Sequence, residues 1–534
     1  MTNRDTSVDG GNVDGEGAGG EDVEGEETSI WLETTPETAF ESLDEVTERG
    51  LAVDTVVVGG GIAGVTTAYK LKEAGQEVAL VERDRVLTGV TGHTTAKLTS
   101  LHGLIYDYLV DQFGTERARL YAEANEAAID DVERTVETEG IDCEFERTPA
   151  YSYTESREEV GEFRDEVEAA KRLDLPASFV ESTDLPYDVA GAVRFDDQAI
   201  FHPRKYLLEL TRRIQGDGSH VIERTTVMDV DGGEPCRVST ERGDLRADDV
   251  VVATHFPVYD HALYFARMEP MRSYVIAARL EGDVPEGVYY QTADPYVSVR
   301  PRPAGERDVA LVGGQGHRTG HGDGTTDRYR RLEAQARDRF DVAEIEYRWS
   351  TQDFFTVDRV PFVGKHSPRA DHVYVATGFG GWGMTGGTVA GILLADLVQG
   401  RGNPWRGVYR PTRLDFDASK DRLVSHNKHA MKHFLEDHLT DRPSSVPLAL
   451  GPDEATVRST PDGPVAAYRD DDGEYHAVSA VCPHMGCLVE WNDGERSWDC
   501  PCHGSRFDTD GTVLNTPAVN DLESIDLGQL ADPE

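Results

Sequence analysis

Apolar positions fall along this chain in distinct patterns, and each predicts a different kind of structure. Residues 1–28 hold almost nothing but Gly, Asp, Glu, Thr and Ser. Such a stretch cannot bury enough apolar surface to offset its ordering entropy, so a disordered acidic tail is expected there. Patterned sequence begins near Ser29-Ile30-Trp31-Leu32. Val53-Asp54-Thr55-Val56-Val57-Val58 is a β-branched run typical of a buried parallel strand. It leads into Gly59-Gly60-Gly61-Ile62-Ala63-Gly64, a helix through Leu71 and a second strand at 77–82. Helical spacing recurs over 104–139, 157–172 and 326–340. A β-branched strand is expected at 249–253, and 270–315 alternates short strand-like runs with Gly/Pro turns, as in an antiparallel sheet. Gly314-x-Gly316 leads into a polar His/Arg/Gly loop and reads as a turn. A buried strand at 373–377, a glycine-dense turn and a helix at 387–399 follow. Residues 416–440 read as a polar linker helix, Arg442-Pro443-Ser444-Ser445 as a domain boundary, and 446–534 as short strands and turns. No internal repeat is present.

Charge narrows the possible partners. The 534 residues include 53 Lys+Arg against 99 Asp+Glu, a net charge of −46. A phosphate backbone or an anionic membrane repels such a surface, so neither is an expected partner. Only nine of the basic residues are Lys. An acidic, lysine-poor surface reads as halophilic, built for concentrated salt. No stretch is long and apolar enough to span a membrane, and the N-terminus lacks the pattern of an export signal, so a cytoplasmic protein is expected. Six cysteines do not make a disulfide scaffold, but four of them fall between 482 and 502.

Gly59-x-Gly61-x-x-Gly64 follows a strand and opens a helix, and the next strand ends at Glu82, eighteen residues on. Gly59 permits the tight turn, Gly61 lets backbone amides approach a pyrophosphate, and Gly64 lets helix and strand pack closely. The helix N-terminus favours phosphate, and Glu82 can accept from a ribose 2′-hydroxyl. This fingerprint alone does not separate FAD from NAD. The turn Thr377-Gly378-Phe379-Gly380-Gly381-Trp382-Gly383-Met384 supplies a second amide-lined approach, suited to a flavin ring. With Thr356-Val357-Asp358-Arg359-Val360-Pro361-Phe362-Val363-Gly364 before it, the pattern resembles the FAD-dependent oxidoreductases of the D-amino-acid oxidase and glycine oxidase superfamily over roughly 50–410. That resemblance implies a Rossmann-like α/β FAD-binding domain with an antiparallel α+β substrate domain over the flavin. It also implies that Thr91-Gly92-His93-Thr94-Thr95-Ala96-Lys97 passes the flavin. Ile62, Ala63, Arg83, Thr94 and Thr95 then join the glycines and Met384 as cofactor contacts, and His93 or Lys97 faces substrate.

Cys482-Pro483-His484 and Cys500-Pro501-Cys502-His503 form a Cys-x-His, gap, Cys-x-x-His pattern. Two thiolates and two imidazoles suit a Rieske-type [2Fe–2S] cluster, and the same four residues suit tetrahedral zinc. The runs Cys-Pro-His-Met-Gly-Cys and Cys-Pro-Cys-His-Gly-Ser, with the later Asn515-Thr516-Pro517-Ala518 loop, resemble the Rieske proteins of cytochrome bc complexes. The resemblance implies an all-β Rieske domain with Cys482 and Cys500 on one iron, His484 and His503 on the other, and a Cys487–Cys502 disulfide. Ser505 would donate to a cluster sulfide, and Phe507 replaces a tyrosine that often donates as well, implying a lower potential. Together the halves resemble superfamily flavoproteins with a C-terminal Rieske domain, and imply domains at 29–415 and 443–534 joined by a linker at 416–442.

On the linker, His426, His429 and His433 share a helical face, and His438 follows; a polar helix bearing titratable side chains is expected there rather than a metal site. Arg272, Tyr274, Tyr296 and Arg300 lie in the expected substrate sheet, where arginines can clamp a carboxylate. The expected function is oxidation of a small amine or amino-acid-like substrate at FAD, with electrons passing singly through the cluster to an external acceptor: a dehydrogenase rather than an oxidase. The alternatives are a reductase fed by NAD(P)H, disfavoured by the missing second nucleotide fingerprint, and a redox sensor without turnover.

Overall fold

The structure, a computed structural model, describes residues 23–47, 50–260, 262–302, 308–322, 324–413 and 450–526. Leu51–Val58 lies inside an eight-stranded sheet, with Val78–Val81 and Gly243–Val252 parallel on either side. His220–Ile222 and Val373–Thr377 extend the parallel ladder, and Phe362–Lys365 closes one edge antiparallel. The unbroken valine runs follow from burial on both faces. Val57 packs toward the helices Ile62–Glu73 and Gly383–Val398, while Val56 and Val58 pack under the ribbon Val227–Asp231 and Cys236–Thr240.

The second large sheet has ten strands and is mostly antiparallel. Its centre runs Val342–Thr356, Met268–Leu280, Val309–Arg318, Val297–Pro301, Val288–Gln291. Alternation assigns its faces. Val297 and Val299 join a core with Tyr274, Tyr289 and Tyr329. Ser298 turns the other way and meets Lys97. Residues 450–526 form two small antiparallel sheets of three and four strands around a separate core.

Three expectations need correction. Residues 23–28, expected to be disordered, are ordered: Glu26–Glu27 adds to the sheet edge beside Tyr347 and Arg348. Arg348 Nη1 donates to the carbonyls of Val23 and Gly25 at 2.6 and 3.0 Å, which composition cannot register. Gly314 and Gly316 form no turn but sit within Val309–Arg318, where a Cβ on Gly314 would lie 2.6 Å from the Tyr296 carbonyl oxygen. The helix expected over 104–139 is two, Tyr106–Phe113 and Thr115–Glu139, divided at Gly114. The linker histidines and the boundary at 442–445 lie outside the described residues. No described helix is long and apolar enough to cross a membrane.

Candidate active site and cluster-binding loops

The strand–helix turn at Gly59 leaves no room for side chains. Gly59 has φ +107°, and a Cβ there would lie 2.4 Å from the Ala253 carbonyl oxygen; one on Gly64 would lie 1.9 Å from that of Gly59. Gly61 faces a cavity of about 900 Å3, at the large end for small-molecule sites. The N-terminus of Ile62–Glu73 opens there, with Ile62 N donating to Thr91 Oγ1 at 3.0 Å. Glu82 accepts from Gly60 N at 2.6 Å and Asp84 N at 3.1 Å, and burial raises its pKa. A bare glycine cradle, a helix N-terminus and a carboxylate one strand away fit the pyrophosphate and ribose of a dinucleotide. Arg83 also borders the cavity, but its guanidinium pairs with Asp84 and donates to the Leu514 carbonyl at 2.9 Å.

The cavity continues past Thr94, Thr95 and Lys97 to Gly380, Gly381, Trp382, Gly383 and Met384. Asp353 Oδ2 accepts from Gly381 N at 2.5 Å and fixes that turn. Gly378 does not line the cavity; a Cβ there would lie 2.4 Å from Thr356 Cγ2. Thr91 lies in the run that the resemblance places along the cofactor, whereas Asp353 and Trp382 are not site candidates from sequence. Only the position of Thr91 and Trp382 inside the two quoted motifs offered a signal.

The six substrate candidates separate. His93, Lys97 and Tyr296 line the cavity. His93 Nδ1 lies 2.9 Å from the Gly89 carbonyl, and burial chiefly, with Arg272 adding, lowers its pKa. Arg272 also borders the cavity, but its guanidinium is engaged by Glu495. Tyr274 lines no part of it: the side chain joins the Tyr329 core, with its hydroxyl 3.0 Å from His317 Nε2. Arg300 is also off the wall, buried with its guanidinium 5.3 Å from the Trp31 ring centre. A carboxylate clamp from Arg272, Tyr274 and Arg300 is therefore not assembled.

In the C-terminal unit, Cys487 and Cys502 form a disulfide with Sγ atoms 2.01 Å apart. Their sulfurs lie close to that of Cys500, but the bond between them leaves Cys482 and Cys500 as the free thiols of the loops. These two thiols hydrogen-bond each other, and that bond, against burial, draws the Cys482 pKa down to about 7. Backbone amides of His484 and Met485 reach Cys482, and those of Cys502 and His503 reach Cys500. Amides aimed at two facing sulfurs suit thiolate ligands. The His484 and His503 rings stand 5.1 Å apart and perpendicular, at 90°. Two thiols and two imidazoles fit a mixed-ligand [2Fe–2S] cluster better than a disulfide pair plus one thiol fits a single ion. Ser505 Oγ reaches Cys482 and accepts from Ala518 N at 3.0 Å; Phe507 is buried in the small core.

The two units are joined directly. Phe256 and Phe265 set their ring centres 6.3 and 5.3 Å from those of His484 and His503. Gln352 Nε2 donates to the Gly504 carbonyl at 2.8 Å, and Thr512 to Thr516 border the cofactor cavity. Glu495 lies between Arg272 and Arg506, and Arg506 also bonds Asp499 at 2.7 Å. Burial alone would raise the Asp499 pKa, but Arg506 and then Arg272 pull it below the usual range. Glu495→Gln leaves the buried Arg272 guanidinium without its paired carboxylate, while Arg506 keeps Asp499. We expect a loss of about 3 kcal/mol, read as a lower thermal midpoint of the holoprotein. An unchanged midpoint would show that the bridge does not hold the units together.

Residues 54–397 match the family described as FAD dependent oxidoreductase, and residues 444–526 match the Rieske [2Fe-2S] domain. The chain is 38% identical to a putative Rieske 2Fe-2S iron-sulfur protein, YhfW, of Bacillus subtilis, over 93% of this chain and 97% of that one. It is 23% identical to the gamma-glutamylputrescine oxidoreductase of Escherichia coli, over 68% of this chain and 86% of that protein. Glycine oxidase from Geobacillus kaustophilus shares the fold, with a TM-score of 0.56 at 19% identity over 68% of this chain and 99% of that one. An FAD cradle and a mixed thiol/imidazole loop pair thus stand on the two matched regions, and the chain belongs to the FAD-dependent oxidoreductase family, with a C-terminal Rieske [2Fe–2S] domain.

Proposed function

We propose that the protein oxidises a small amine or amino-acid-like substrate at its flavin and passes the electrons through the Rieske cluster to an external acceptor, as a dehydrogenase. In this reading Cys482 and Cys500 hold one iron, His484 and His503 the other, and the Gly59–Gly64 and Gly380–Met384 turns hold FAD. When bound, the flavin takes an electron pair from a substrate C–H bond and the cluster carries electrons singly. The chain supplies position and shelter. Asp353 pins the Gly381 turn, while Tyr296, stacked on Tyr290 with ring centres 5.2 Å apart, walls the cavity beside Trp382.

One observation carries the relay. Gln352 bonds the cluster loop at Gly504, while its chain neighbours Thr351 and Asp353 line the cofactor cavity. One strand thus touches both centres. The amine class is supported by the name of the gamma-glutamylputrescine oxidoreductase relative. The test is an anaerobic panel of amines, amino acids and hydroxy acids, with NADH as a separate arm. At least one amine or amino acid is expected to bleach the flavin and raise the paramagnetic signal of the reduced cluster. Bleaching with no cluster signal rules out the relay, and bleaching by NADH alone favours the reductase.

A further inference from the structure

A buried cation on the cofactor cavity, Lys97, feels a second buried cation behind the wall, Arg300, and neither has a paired anion. Lys97 is 8% exposed and lines the cavity. Its Nζ donates to Thr95 Oγ1 at 2.8 Å and Ser298 Oγ at 3.2 Å, and lies 5.8 Å from the centre of the Trp382 ring. Ser298 and Arg300 are two residues apart on Val297–Pro301, so they share a strand face. Arg300 is 1% exposed, and none of its guanidinium nitrogens has a hydrogen-bond partner. The carboxylate acting on it, Glu144, is paired with Lys205. No described carboxylate forms an ion pair with Lys97 or Arg300.

Two buried like charges without ion-pair partners are too costly to keep, and one must be given up. Guanidinium does not deprotonate in proteins, whereas a buried ammonium readily does. Lys97 is the group that yields. We propose that Lys97 stands in the cavity as a neutral amine, kept so by burial and by Arg300 beside it, and removes the ammonium proton of an amine substrate before its C–H bond is oxidised. This deepens the functional reading above and rests on it.

The chemistry balances. An amine at neutral pH arrives as an ammonium ion without a free lone pair. Its N–H bond breaks and an Nζ–H bond forms on Lys97. The freed lone pair becomes the C=N π bond as the adjacent C–H bond gives its electron pair to the bound oxidant, a flavin. The substrate leaves oxidised to an iminium ion, and the proton leaves Lys97 for solvent. Desolvation first and Arg300 second lower the Lys97 pKa to about 7, so the amine is free above neutrality and protonated below it. Arg300 is a positioning residue in this scheme. The other groups on Lys97 are the Thr95 and Ser298 hydroxyls and the Trp382 ring, none of which titrates in this range.

The test needs no substrate. Holoprotein carrying ε-13C lysine shows only nine lysine signals, few enough to follow singly. One signal, missing in Lys97→Arg, is expected to titrate with a midpoint near 7. In Arg300→Gln the midpoint rises by at least about 0.5 unit, because a like charge is gone. A Lys97 midpoint in the ordinary lysine range overturns the proposal even if amines bleach the flavin. A hydroxy acid that bleaches the flavin where no amine does overturns the amine assignment even if the titration holds.

Discussion

Cys482→Ser protein is expected to purify yellow and without iron. The flavin cavity is lined by none of the four residues proposed to hold the cluster, so removing one leaves the FAD cradle intact. The cluster has no such tolerance. Cys482 faces Cys500 across the two loops, and the amides of His484 and Met485 point at its sulfur. A serine hydroxyl is a poorer, shorter-reaching ligand in that place, and the disulfide holds the loops too firmly for a substitute to move in. Flavin-to-protein ratio, iron content and the low-g paramagnetic signal after dithionite reduction give the measurement. A variant that keeps full iron and signal would remove Cys482 from the ligand set.

Gly64→Val is expected to do the reverse, losing the flavin and sparing the cluster. A Cβ on residue 64 would lie 1.9 Å from the Gly59 carbonyl oxygen, far inside any real contact. Strand and helix must part at the turn proposed to receive the pyrophosphate. Overpacking at such a point costs about 3 kcal/mol, and the larger loss is of cradle geometry. Gel-filtered protein is expected to carry under a tenth of the wild-type flavin, on the order of that distortion's cost. Stoichiometric flavin in the variant would show that this glycine does not set the turn.

Both of these positions were readable from sequence for the same reason. Gly59, Gly61 and Gly64 act within one turn, and Cys482 and His484 within one loop, so spacing along the chain stands for spacing in three dimensions. The substrate sheet gave no such shortcut. Tyr274 lies on the face that packs on the helix Thr325–Arg339, while Ser273 and Val275 face the cavity, and Arg272 reaches the cavity edge with its guanidinium taken by Glu495. Side-chain parity in a strand can be counted from sequence, yet which parity is inward depends on what packs against it. Arg300 failed differently. It has the parity of Ser298, but Trp31, more than 260 residues earlier, stands against it. Asp353 and Gln352 went unnoticed because their partners, Gly381 and Gly504, are distant in sequence and come near only when the long strand Val342–Thr356 is in place.

The imidazole edge of the small domain is covered unequally. His503 is 7% exposed behind Phe265, whereas His484 is half-buried beside Met485, which is 47% exposed. Both rings stand against phenylalanines of the large domain, so in the relay proposed above the exposed Pro483–Met485 tip is the approach left open to an electron carrier.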